Sequence, residues 1–307
     1  MYKKNKKKII IVGGTGFLGY YLLKNFIKKN WNVISLSRNK PSSFKKIKKV
    51  NYKFVDISNK KKLFKILDNI KNIDYLINLG GEVLHNKKRR VYLSHYIGCK
   101  NLAKFYLKKK IKKFIQIGSS MEYGQLKSPQ NENSKFKPLS DYGKSKAMAT
   151  KYLINLSKKY SFPAVILRLY QVYGPLQDAN RFIPYVIKNC LNNNSFECSS
   201  GKQFRDFLFI DDFVSLINKC INKKKIIGEI INVGYGRPIK LLNVINFITK
   251  TLKLGKPLFG KIKLRKEENL KTFPSIKKAS RLLKWKPKIS FKRGLIQTIN
   301  HFEQKVL

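Results

Sequence analysis

Acidic residues are scarce in this chain. It has 67 lysines and arginines against 16 aspartates and glutamates, and its formal charge is +51 over 307 residues. Such an excess usually points to nucleic acid or an anionic membrane. Arginine, however, supplies only ten of the basic residues and lysine 57, scattered as KKNKKK, KKIKK, LKKKIKK and INKKK. A surface built for phosphates is richer in arginine, interleaved with aromatics and confined to one segment. Lysine, asparagine and isoleucine share AT-rich codons, so the charge reads as compositional drift and no nucleic-acid partner is expected. Histidine and cysteine are also scarce. Cys99, Cys190, Cys198 and Cys220 form no CxxC pair, and His85, His95 and His301 are far apart. No metal site is therefore expected, and the thiols read as free in a reducing compartment. Long apolar runs are missing as well. Nothing approaches the roughly 18 residues of a membrane span, and IIIV after the basic N-terminus is too short for a signal peptide. A cytoplasmic protein without membrane contact is expected.

What is present is an ordinary apolar fraction, 43%, in a chain long enough to bury a sizeable core. Short apolar runs alternate with amphipathic stretches: KIIIVG then FLGYYLLKNFIKK, NVISLS, YKFVDI then KKLFKILDNI, IDYLINLG, KKFIQIGSS, a helix from Tyr142 to about Tyr160, and AVILRLY. Strands alternating with helices predict an α/β fold, a doubly wound parallel sheet with helices on both faces. This covers residues 1–174. Residues 175–307 are looser and predict a smaller C-terminal substrate-binding domain, with 207–234 returning to the sheet through EIINVG.

IIIVGGTGFLGYYLL sets Gly13, Gly16 and Gly19 between a strand and a helix. The first glycine permits a tight turn, the second lets the backbone approach a pyrophosphate, and the third lets helix and strand pack closely. The diphosphate then sits on the free N–H groups and positive dipole end of the helix. DYGKSKAMAT carries Tyr142 and Lys146 one helical turn apart on one face. An ordinary tyrosine ionises only near pH ~10, but a neighbouring lysine cation and a positively charged nicotinamide both favour phenolate, which would make Tyr142 a general acid or base.

GGTGFLG, GSSMEYG and YGKSK, in that order and spacing, resemble the extended short-chain dehydrogenase/reductase family, in its NAD(P)-dependent nucleotide-sugar epimerase/dehydratase/reductase branch. The likeness continues through VILRLYQVYGP, RFIP, GKQFRDFLFIDD, EIINVG and LLKWKP, nearly the whole chain. The resemblance implies a catalytic Ser119, with Tyr142 as acid/base and Lys146 on the nicotinamide ribose. It implies cofactor contacts from Gly13, Thr15, Gly16, Phe17, Leu18, Gly19, Asp56, Ile57 and Leu79. Ser37 stands where members preferring NAD have an acid for the ribose 2′-OH, and Arg38 follows, so the expected cofactor is NADP or NAD with a lean to NADP. Ser120, Met121, Gln171, Arg181, Arg205 and Arg265 are the implied substrate contacts, with Arg205 and Arg265 matched to a nucleotide diphosphate and Tyr173 and Arg181 at the rim of that site.

Three features depart from the family pattern. His95 replaces a helix asparagine, Gln171 stands where an asparagine precedes VYG, and the HLAA-like end of the fourth strand reads NLGG, from Asn78 to Gly81. The expected function is a nucleotide-sugar epimerase or 4-keto reductase. A 4,6-dehydratase is the alternative among enzymes, disfavoured because Met121 stands where dehydratases place a glutamate. Glu122 is one residue later, and in extended chain a shift of one turns a side chain to the other side. A silent protein of this fold that binds RNA or senses the cofactor ratio is the alternative outside enzymes, although such relatives tend to lose the Tyr or Lys kept here. A homodimer is compatible with the reading.

Overall fold

The computed structural model describes residues 6–82, 86–264 and 269–304. Six strands open the chain: β1 (Lys8–Val12), β2 (Asn32–Ser37), β3 (Asn51–Phe54), β4 (Tyr75–Asn78), β5 (Lys113–Ser119) and β6 (Ala164–Leu169). β7 (Gln171–Tyr173), β8 (Ser195–Glu197), β9 (Phe204–Phe209) and β10 (Ile230–Val233) follow. The chain ends its strands with β11 (Pro238–Lys240), β12 (Lys256–Leu258) and β13 (Lys271–Thr272). The central sheet has seven strands in the order β10-β6-β5-β4-β1-β2-β3, and it is the predicted doubly wound parallel sheet. Its inner strands are near-continuous apolar runs because both faces are covered: Ile9, Ile10, Ile11, Leu76, Ile77, Ile115 and Val165 are fully buried.

The chain divides into two compact units, residues 1–124, 135–168 and 217–231 in one, and 125–134, 169–216 and 232–307 in the other. In the first, α1 (Phe17–Lys28) buries Leu22, Leu23 and Phe26, and α2 (Lys60–Asp68) is capped by the Asn59 side chain and buries Leu63 and Leu67. Next, α3 (Lys88–Tyr92) runs through a five-residue π-helical turn, Leu93–Ile97, into α4 (Gly98–Tyr106). The twenty-residue α5 (Asp141–Tyr160) starts at Ser140, whose hydroxyl accepts from Gly143 N at 3.1 Å. Lys113, buried at the start of β5, donates to the carbonyls of Cys220, Ile221 and Lys223 at 2.6 to 3.2 Å. It thus satisfies acceptors left open at a helix C-terminus, where a cation is favoured.

In the second unit β9 pairs with β7, β11 and β13, while β8 pairs with β12. Of the segment expected to return to the central sheet, only β10 does so, and β9 lies in this smaller sheet. Tyr173 is 2% exposed, packed on Phe207, Phe209 and Phe291, and donates to Phe291 O at 2.9 Å. It is a core residue rather than the predicted rim residue. Asp206, on β9, is 1% exposed and accepts from the backbone N–H groups of Tyr235 and Gly236, both at 2.6 Å.

Burial pushes the Asp206 carboxyl up to about 7, against the pull of the backbone N–H groups of Tyr235, Gly236 and Arg237. An unfolded aspartate ionises near about 4, so between these two values the folded chain holds a proton that the unfolded chain has released. The stability from this group is therefore fully present below about 4 and is lost as pH rises through about 7. The thermal midpoint of the wild type relative to Asp206→Asn is expected to fall across that window. A difference independent of pH between 4 and 8 would count against this assignment, the two limits being roughly those of the two protonation states.

Candidate active site

The site in the first unit is built at the carboxyl ends of β1, β4 and β5. Gly13 follows β1 with φ +78°, a backbone region that side chains rarely adopt, and a Cβ there would press on Leu79 C and Gly80 N at 3.3 and 3.2 Å. A Cβ on Gly19 would run into Gly13 O and the Gly14 backbone, which is the close helix-to-strand packing expected of the third glycine. Gly16 caps α1 with no side-chain bond to the helix N–H groups, and no acidic residue stands in the first turn. Thr15 N donates to Ser37 Oγ at 3.3 Å, fixing the loop to the end of β2. A positive dipole end with uncapped N–H groups and room beside the backbone fits a dinucleotide diphosphate.

Of the other cofactor candidates, Phe17 and Leu18 open α1, and Leu79 N donates to Val12 O at 3.0 Å. Ile57 is buried against Gly80 and Gly98, while Asp56 is exposed and accepts from Ser58 N and Oγ at 2.8 and 2.7 Å. Arg38 and Asp56 border a cleft of about 520 Å³ together with Phe54, Asn59, Lys62 and Lys65. Arg38 is not aimed at bulk water: its Nη1 and Nη2 both lie 3.3 Å from Glu82 Oε2. Nothing in the spacing of the sequence pointed to Glu82.

Ser119 ends β5 and is 6% exposed. Its Oγ accepts from Met121 N at 3.2 Å, and Glu122 Oε1 accepts from Ser119 N at 2.8 Å, a reciprocal capping box. Residues 120–122 form a 3₁₀ turn, so the extended-chain alternation expected there does not apply. Glu122 is nevertheless directed away from Met121. It is fully buried, Thr150 Oγ1 and Arg168 Nε donate to its Oε2 at 2.9 and 3.1 Å, and Met121 is 43% exposed. A Cβ on Gly118 would lie 2.6 Å from Glu122 Oε1, which explains the glycine in IGSS. Ser119 is thus a turn cap in this fold as well as the hydroxyl singled out by the family pattern.

Lys146 is 4% exposed and donates from Nζ to Ile117 O at 2.7 Å, and its Nζ lies 5.8 Å from the Tyr142 ring centroid. This bond fixes Lys146 of α5 to β5 two residues before Ser119. Gly143 makes the approach possible: a Cβ there would lie 2.5 Å from Met121 O. Cys99 is fully buried, and burial pushes its thiol up to about 12 with Lys146 pulling the other way. All four cysteines are free and buried, and no metal-binding cluster exists among the described residues. No helix among them is long and apolar enough to cross a membrane.

Two of the sequence departures belong together. His95 sits in the π-helical turn, where local widening re-aims a side chain. Its ring meets Tyr142 edge-on at 4.9 Å and 87°, and its Nε2 is 3.1 Å from Glu82 O. A Cβ on Gly81 would overlap this ring. The glycine in NLGG therefore makes room for the histidine that replaces asparagine. Asn78, at the head of the same stretch, accepts from Gly80 N at 3.1 Å and donates to Gln116 at 2.8 Å.

In the second unit Gln171 is exposed on β7 and Arg181 caps the helix Phe182–Leu191. Arg205, on β9, donates to Phe204 O at 2.8 Å. Arg265 lies outside the described residues. Residues 9–234 match the NAD dependent epimerase/dehydratase family. The chain belongs to that family. It is 28% identical over 296 residues to CDP-abequose synthase of Salmonella muenchen, covering 94% of this chain and 96% of that protein. Human dTDP-D-glucose 4,6-dehydratase is 27% identical over 329 residues, with 97% and 90% covered. A solved UDP-glucuronic acid 4-epimerase from Bacillus cereus, in complex with UDP-glucuronic acid and NAD, superposes with a TM-score of 0.88 at 27% identity, covering 97% and 99%. Family members with three different reactions are thus similar to this chain over nearly its whole length.

The Gly81 and His95 pairing makes a quantitative expectation. Gly81→Ala is expected to cost about 1 to 3 kcal/mol of stability through overpacking, and His95→Asn in the same chain is expected to recover most of it. Thermal unfolding of the two single variants and the double variant measures the coupling, and additive costs would remove it.

Proposed function

We propose that this protein is an NAD(P)-dependent enzyme that oxidises or reduces a hydroxyl-bearing carbon of a nucleotide-diphospho sugar, as an epimerase or a 4-keto reductase. The observation that carries this reading is Lys146 locked to the end of β5 with the Tyr142 ring beside its Nζ, next to Ser119. NAD(P), when bound, supplies or accepts the hydride. Gly13, Gly16 and Gly19 leave space for its diphosphate, and Lys146 would hold its ribose. Tyr142 moves the proton at the sugar hydroxyl: as phenolate it removes it from an alcohol being oxidised, and as phenol it returns it to a ketone. Ser119 Oγ positions the same oxygen and stabilises charge on it as the bond order changes. A reductase makes one hydride and one proton transfer and consumes reduced cofactor, whereas an epimerase would remove hydride and proton from the sugar and return both at its other face, with no net change in the cofactor.

Ser120, Met121, Gln171, Arg181, Arg205 and Arg265 remain the substrate contacts that the family resemblance implies, with Arg205 and Arg265 the candidates for the nucleotide diphosphate. Water elimination is disfavoured by Glu122, which is committed to a buried ion pair, and by Met121, which brings no ionisable group to the exposed position. The family includes dehydratases, so the reaction is decided by product.

The test incubates the protein with CDP-, UDP-, dTDP- and GDP-sugars and either NAD or NADH and identifies products by mass and by ring stereochemistry. An unchanged mass with an inverted centre, or a gain of two hydrogens from a keto sugar, is expected. Loss of water would establish a dehydratase instead. Tyr142→Phe is expected to lower turnover by roughly 10²- to 10⁴-fold, the usual worth of a positioned acid/base, with dinucleotide binding retained. Wild-type turnover in that variant would overturn the assignment.

A further inference from the structure

The Arg38–Glu82 pair stands apart from the residues that move hydride and proton. Arg38 follows β2 and Glu82 lies four residues beyond β4, and these strands flank β1, which carries the glycine loop. The ion pair therefore joins the two loops on either side of that cradle. The partners differ in freedom. The Glu82 side chain is 5% exposed, its N–H donates to Ser94 Oγ at 2.9 Å, and its carbonyl lies 3.1 Å from His95 Nε2. The Arg38 side chain is 40% exposed. A carboxylate anchored at both backbone ends by the π-helical turn thus faces a movable guanidinium.

Arg38 was the sequence feature favouring a 2′-phosphate, because the end of β2 has Ser37 in place of an acid. We propose that Glu82 is the residue that decides dinucleotide choice, neutralising Arg38 and directing the site to NAD over NADP. The inference rests on the reading of the glycine loop as a dinucleotide site. A 2′-phosphate carries nearly two negative charges at neutral pH. To use Arg38 it must displace a buried carboxylate from the guanidinium or lie close to it, and at low local dielectric such repulsion is weakly screened. The 2′-hydroxyl of NAD imposes no such conflict and can donate to a carboxylate, as it does to the acid found at the end of β2 in other dinucleotide folds. Arg38, held by Glu82 at the border of the cleft with Asp56, offers a planar face to an adenine. Lys62 and Lys65 line the same cleft but are exposed, so their attraction for a phosphate is screened by salt.

The experiment measures dissociation constants of NADH and NADPH for the full chain by nicotinamide fluorescence at physiological ionic strength, in wild type, Glu82→Gln and Arg38→Ala. Wild type is expected to bind NADH more tightly by about tenfold or more, and Glu82→Gln to shift the ratio toward NADPH by at least about tenfold. Arg38→Ala removes the guanidinium that the substitution would release, so adding Glu82→Gln to it is expected to leave the ratio of the single Arg38 variant nearly unchanged. A wild-type preference for NADPH, or an unchanged ratio in Glu82→Gln, would overturn the proposal while leaving the dinucleotide site intact. Equal weakening of both ligands in Glu82→Gln would also overturn it, showing Glu82 to be structural only. Failure of wild type to bind either dinucleotide would remove the reading of the glycine loop itself, and the proposal with it.

Discussion

The ion pair between Glu122 and Arg168, both side chains fully buried at 3.1 Å, is the constraint on which the candidate site at the carboxyl end of the sheet depends. A buried charge is costly unless it is paired and hydrogen-bonded. Glu122 meets that condition by accepting from Ser119 N, Thr150 Oγ1 and Arg168 Nε, and the guanidinium lies 4.4 and 4.5 Å from the ring centroids of Tyr123 and Phe136. One carboxylate thereby ties together the end of β5, the middle of α5 and β6. Ser119 is held by its backbone, and Tyr142 and Lys146 by the helix that Thr150 anchors. The pair contributes positional definition more than net stability, since burial offsets much of the attraction.

Around that anchor, glycine sets how closely the pieces approach. Gly118 admits the Glu122 carboxylate, Gly143 admits the Met121 carbonyl, and Gly81 admits the His95 ring. Each lies within a few residues of a group with a chemical role, and each would collide as alanine. The loop following β4 accordingly does two things. Its Gly81 accommodates a ring that meets Tyr142, and its Glu82 engages Arg38, so the environments of Tyr142 and Arg38 are coupled through two adjacent residues.

Much of this was legible in the sequence, and the reasons are physical. The central sheet could be read because strands buried on both faces carry near-continuous apolar runs, as IIIV and AVIL are. The glycine loop could be read because a left-handed turn next to a helix start leaves few alternatives to glycine. The resemblance of YGKSK and GSSMEYG to the family motifs located Ser119, Tyr142 and Lys146. Glu82 was not legible, since its partner lies 44 residues away and no local pattern marks such a pair. His95 and NLGG were visible as departures, but their link appears only when the π-helical turn brings the ring against Gly81. Tyr173 was misplaced because an aromatic at a strand end has the same local signature in a core as on a rim. The alternation argument at Met121 and Glu122 failed in its premise, because a capping box bends that stretch into a 3₁₀ turn. The acid's inward direction comes from Arg168, not from strand pleat.

The central claim is that the one acid in IGSSMEYG organises the site and takes no part in the chemistry. Glu122→Gln keeps an oxygen for Ser119 N but leaves Arg168 buried without its counter-charge. The most direct measurement follows thermal stability and the pH profile of turnover together in this variant. The account predicts a loss of roughly 3 to 5 kcal/mol, as for other broken buried pairs, with turnover by the folded protein at low temperature within about tenfold of wild type and a profile of unchanged shape. Undiminished stability with turnover abolished, or a lost limb of the pH profile, would contradict it and return Glu122 to the reaction as an acid or base.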